Sequence, residues 1–176
     1  MEDGSSFQLA DDDSGSRILV FASTEGRGVL KTAQHFFMDG TFKSCCMHFY
    51  QLLTIHADLS KNEEEDTTIV TIIFSLLPRK NSEIYSKLFT VLKHAGWNPN
   101  SITMDFEVAA IKELERHFPS VNILGCNFHF NQYLSRQVQS LGLVRNYKDD
   151  EEIRLHIHMC AAFAYQPESD MGDGWL

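Results

Sequence analysis

The chain lacks any uninterrupted apolar run approaching the ~20 residues that a membrane-spanning helix needs. Its longest strongly apolar stretch, Ile69 to Leu77, is broken by Thr71 and Ser75 and reads as a buried strand, so no membrane partner is expected. Basic residues are missing from Met1 to Ser16, which holds five acids. A secretory leader needs a basic patch followed by an apolar segment, so this start predicts an intracellular protein. Cysteine is sparse: the four (Cys45, Cys46, Cys126, Cys160) include an adjacent pair, no disulfide framework for 176 residues. The thiols are expected to be reduced. Proline is equally sparse, and Pro78, Pro99 and Pro119 fall between periodic segments rather than inside them.

What is present suits one ordinary soluble domain, with 43% hydrophobic and 22% charged residues. The net charge of -9 is concentrated: Met1 to Ser16 contributes -5, and Asp58 to Asp66, with five acids and Lys61, contributes -4. The remainder is neutral, which neither predicts nor forbids DNA binding. Residues 1–16 read as an acidic disordered tail and Asp58 to Asp66 as a solvated turn.

Structure is expected from Arg17. Ile18 to Ala22 is a short β-prone run, and Ser23 or Thr24 can cap a weak helix to Ala33, weakened by Gly26 and Gly28. Three strand-like runs follow, Phe36 to Phe42, Phe49 to Ala57 and Thr68 to Leu77. After Pro78 the period changes to about 3.6, with Ile84, Tyr85, Leu88, Val91, Leu92 and Ala95 on one helical face, capped by Asn81 or Ser82. Ser101 to Met104 is a fourth strand. The next helix turns Val108, Ile111, Leu114 and Phe118 inward and Lys112, Glu113, Glu115 and Arg116 outward. Val121 to Cys126 is a fifth strand, before a helix carrying Phe130, Tyr133, Leu134, Val138 and Leu141. A further helical pattern runs from Glu151 to about Tyr165. The order β-β-β-α-β-α-β-α predicts an α/β fold with a mixed five-stranded sheet flanked by helices, in which right-handed connections set the fourth strand beside the first.

That topology brings two acids together. Asp39 follows three apolar residues and precedes Gly40, which lets other groups approach the backbone, and an unpaired charge there would be costly. Asp105 ends the fourth strand. Carboxylates on neighbouring strands suit Mg2+ or Mn2+, which take oxygen ligands and serve phosphodiester chemistry; a buried hydrogen-bond acceptor is the plainer role for Asp39. Glu107 reads as a helix-start acid favoured by the dipole rather than as a ligand.

The strings FMDGTFK, FYQLLTIHA, LPRKNSEIYSKLF, MDFEVAAI, FPSVNILGCNFHFNQ and LGLVRNY resemble, in this order and spacing, the transposase domain of Mutator-like elements. The resemblance covers residues 17–167 and leaves 168–176 as an irregular tail. It implies a ribonuclease-H-like fold, truncated at its C-terminus, and a DNA transposase site of the Asp-Asp-Glu type whose first two acids are Asp39 and Asp105. The implied cofactor is Mg2+ or Mn2+, the implied partner DNA, with a protein partner or homo-oligomer open, and the implied location nuclear. The family's third acid lies beyond the segment resembling Ile153 to Pro167, and Glu168, Asp170 and Asp173 lack its pattern. Two readings therefore stand side by side, a divalent-metal enzyme and a domesticated, catalytically inactive protein- or DNA-interaction module.

Cys126 and His129 match the family's Cys-x-x-His motif, and His156, His158 and Cys160 could complete a Zn2+ site; a buried thiol with a hydrogen-bonded imidazole is the alternative. Cys45, Cys46 and His48 read as strand-edge residues. Lys43, Arg79, Lys80 and Arg136 are candidate phosphate contacts or solvated surface.

Overall fold

The computed structural model describes residues 7–42, 45–60 and 68–167. Met1–Leu124 and Gly125–Leu176 are two compact units. Among the described residues no helix is long and apolar enough to cross a membrane.

The first unit is built on a mixed sheet of seven strands, two more than the element order predicts. The strands are β1 (Gln8–Asp12), β2 (Ile18–Phe21), β3 (His35–Thr41), β4 (Gln51–Asp58), β5 (Ile69–Leu77), β6 (Ser101–Met104) and β7 (Asn122–Gly125), in the spatial order β1-β2-β5-β4-β3-β6-β7. The additional pair is β1 and β2. β1 arises inside the segment expected to be a disordered tail, where it pairs with β2 and packs Leu9 and Ala10 against the core, and Arg17 bonds Asp11 at 2.8 and 2.7 Å across the β1–β2 turn on the exposed side. Low apolar content hid this strand, because an edge strand needs only one paired side. The Asp58 to Asp66 turn and the 168–176 tail fall largely or wholly outside the described residues, as do Lys43, Glu168, Asp170 and Asp173.

Period-two alternation decides the two faces of the sheet. Pairing aligns Ala57, Phe36 and Ile102 in one row and Ile55, Met38 and Met104 in the next, all buried. Against the core lie α2 (Ser82–His94) and α3 (Val108–His117), which pack on each other, and Trp97, which meets Phe36 edge-on at 5.6 Å. Asn81 caps α2 by accepting the Ile84 N–H at 3.1 Å. The opposite rows are polar: His35 with Ser101, then Phe37 with His56 and Thr103, then Asp39 with Thr54.

α1 (Thr24–Thr32) forms as expected, with Ser23 accepting the Gly26 N–H at 3.0 Å. α3 presents most of its expected face, with Leu114 and Phe118 buried, Ile111 packed against the core and Lys112, Glu115 and Arg116 exposed, but two positions depart from it. Val108 is 60% exposed, whereas Glu113, expected outward, is buried within reach of Arg116 and His117. The residues that meet the core are Ala110, Leu114 and Phe118, with Ala109 and Ile111 partly buried against it, and Val108 is left outside.

The second unit contains α4 (Asn127–Ser140), α5 (Val144–Asp149) and α6 (Glu151–Ala162), then a short 3-10 turn at Phe163–Tyr165. α5 is not apparent from periodicity because six residues are too few to display it.

Candidate functional site

The parallel pairing of β3 with β6 builds the site. Its last aligned residues are Met38 and Met104, and the next residue on each strand is an acid, Asp39 and Asp105. Neighbouring strands lie ~4.8 Å apart, so the two acids stand at the ends of adjacent strands. Both line one cleft at the carboxyl ends of β3 and β6, together with Gly40, Phe42, Gln51, Tyr85 and Glu107.

Each neighbour has a physical reason to be there. A Cβ on Gly40 would collide with the Gln51 amide where it stands, so glycine lets that side chain keep its place. Gln51 is itself buried and accepts a hydrogen bond from the Tyr85 hydroxyl at 3.2 Å. Burial pushes the Tyr85 phenol well above its ordinary pKa, and the negative field of Glu107 and Asp105 pushes it further. It therefore remains a neutral donor.

Asp105 accepts the Glu107 N–H at 3.1 Å, which turns the chain from β6 into α3. Glu107 occupies the N-cap position of α3, as a helix-start acid should, yet its side chain makes no capping bond. It extends into the cleft instead and meets Lys80 at 3.1 Å. The Glu107 carboxylate holds the Lys80 ammonium above its usual pKa, and Asp105 adds to the effect. Sequence periodicity missed this because Glu107 lies before the first helical turn, where side-chain direction does not follow the 3.6-residue repeat.

On the polar face, His56 sits between two hydroxyls, Thr54 at 3.0 Å and Thr71 at 2.8 Å. Burial lowers its pKa and the charge of Asp39 opposes the shift. His35 is held in the same way by Ser101 and Thr103, at 2.7 and 3.2 Å.

The hard oxygen donors of Asp39 and Asp105 fit Mg2+ or Mn2+ in chemistry. Among the described residues, no group of three or more His, Cys, Asp or Glu side chains is arranged to hold a metal ion. Cys126 is the N-cap residue of α4 and His129 lies on its first turn, edge-on to Phe128 at 5.5 Å. The other candidates for a zinc set are engaged elsewhere: His156 with the Glu152 carbonyl at 2.7 Å and His158 with the Tyr147 hydroxyl at 2.9 Å. Cys45, Cys46 and His48 lie in the connection between β3 and β4, and all four cysteines are free.

Comparison with curated proteins finds no match. Residues 35–133, from the first residue of β3 into α4, match the MULE transposase domain. The match spans more than half of the chain and includes Asp39, Asp105 and Glu107, and the chain belongs to the MULE transposase domain family.

Proposed function

We propose that this chain is a transposase-derived catalytic core in which Asp39 and Asp105 hold Mg2+ or Mn2+ for cleavage and strand transfer at DNA phosphodiesters. The order β5-β4-β3-β6-β7, with β3 parallel to β6 and antiparallel to β4, supports a ribonuclease-H-like reading of these five strands, with β1 and β2 added at one edge. One observation carries the proposal: the β3–β6 register delivers two acids from different strands to a single cleft.

A bound divalent cation supplies Lewis-acid charge that makes water a better nucleophile and offsets charge on the leaving oxygen. The protein's own contribution is to hold the donors. The strand ladder fixes Asp39, the Glu107 N–H fixes Asp105, and the buried Gln51–Tyr85 pair forms a rigid wall behind Gly40. Lys80 is placed to offset the accumulated negative charge.

Mn2+ titration by calorimetry tests the reading. Binding by the wild type that is lost in Asp39→Asn supports it, and binding unaffected by that substitution excludes Asp39 as a ligand. A second reading, a non-catalytic DNA- or protein-interaction module, draws on the lack of three converging metal-capable side chains among the described residues. It predicts DNA or protein binding with no Mn2+ response.

A further inference from the structure

The rim of the acidic cleft carries two rings that the catalytic reading leaves unused. Phe42, directly after β3, lines the cleft and is 44% exposed; Tyr50, directly before β4, is 50% exposed. Their centroids lie 5.4 Å apart at 62°, and the Lys80 ammonium stands over the Phe42 ring at 5.9 Å. Tyr50 is tied to the sheet by its N–H, which donates to the Leu77 carbonyl at 2.8 Å. The two rings flank the ends of neighbouring strands, and the Lys80 ammonium stands between the Phe42 ring and the Glu107 carboxylate.

From this arrangement we infer that Phe42 and Tyr50 form a stacking platform for unpaired nucleotides of the DNA whose phosphate enters the cleft, with Lys80 contacting that phosphate. The inference rests on the proposed DNA chemistry and names the form of substrate the site takes. Charge argues for bases rather than backbone as the source of affinity. Asp39, Asp105 and Glu107 repel phosphate, and Lys80 is already shared with Glu107. Ring faces attract every base and are indifferent to that repulsion. A paired duplex hides its base faces in the stack, so only a frayed or single-stranded segment can use the rings. An ammonium over an aromatic ring adds a cation–π attraction at the same edge of the cleft.

Fluorescence anisotropy with a labelled single-stranded dT 12-mer and a blunt 12-base-pair duplex, at low salt with Mg2+, tests this. The wild type should prefer the single strand. Phe42→Ala and Tyr50→Ala should each weaken single-strand binding about tenfold and leave duplex binding within about twofold, while Tyr50→Phe and Phe42→Tyr, which keep a ring, should retain it. Equal loss on both DNA forms, no loss, or a wild-type preference for duplex would overturn the platform. The Mn2+ titration separates the two claims. Metal binding without single-strand preference removes the platform alone, and single-strand preference without metal binding removes the catalytic reading alone.

Discussion

Gly40 and Asp39 show how adjacent residues can serve opposite faces of one strand. Gly40 is set by Gln51, whose buried amide fills the space a Cβ would need. Gly40→Ala should displace that amide, strain its bond to Tyr85 and cost ~1–3 kcal/mol, read as a lower urea midpoint; an unchanged midpoint would mean that Gln51 swings away freely. Asp39 faces the polar side with Thr54, and its charge reaches His56. Because burial lowers the His56 pKa in the folded state, the unfolded chain takes up the proton first as the pH falls. The stability that neutral His56 provides is thus complete above the unfolded value of about 6.5 and is lost as the pH drops through the folded one. Urea melts at pH 7.5 and 5.5 should show a larger loss for the wild type than for His56→Gln, and equal losses would show that His56 does not govern this window. Asp39 and Gly40 were legible in the sequence because an acid and a glycine in an apolar run break the local pattern. Glu107 was not, since its role depends on Lys80, 27 positions away and met only through the fold.

Helix α1 separates two glycines that the sequence treats alike. Both should weaken a helix, yet a Cβ on Gly26 would lie 2.9 Å from the Ile72 carbonyl oxygen, whereas one on Gly28 meets nothing within 4 Å. Gly28→Ala should therefore stabilise the protein by up to ~1 kcal/mol, while Gly26→Ala should destabilise it, since the opposing atom is backbone and the helix must move off β5. Paired thermal melts check this, and shifts of the same sign would contradict the close approach of α1 to the sheet. At this scale the sequence was informative where period and punctuation agree: the capped α2, the strand Ser101–Met104 and the three-strand run of β3, β4 and β5 all form. It was misleading at the margins of the core. α3 turns a glutamate inward and a valine outward at single positions of an otherwise expected face, and β1 holds through its ladder to β2 and the packing of Leu9 and Ala10 against the core.

For the molecule as a whole, the fold acts as a frame that brings Asp39 and Asp105, 66 positions apart in sequence, to the ends of neighbouring strands, the same separation as the His35–Ser101 contact of the same ladder. On the proposed reading this proximity carries a cost in the metal-free protein, because like charges on adjacent strands repel and Lys80, paired with Glu107 and also felt by Asp105, offsets them only in part. A cation that binds only the folded state reverses that cost, adding ~2.7 kcal/mol at about a hundred times its dissociation constant. For a chain of this size this corresponds to a rise of roughly 5–10 °C in melting temperature. The most direct measurement is a thermal melt of wild type, Asp39→Asn and Asp105→Asn, each with and without saturating Mn2+. The account predicts a metal-induced rise in the wild type alone, and a metal-free melting temperature for Asp39→Asn above that of the wild type. A lower metal-free melting temperature for Asp39→Asn, with its Mn2+ response undiminished, would make Asp39 a structural acceptor and contradict the metal site.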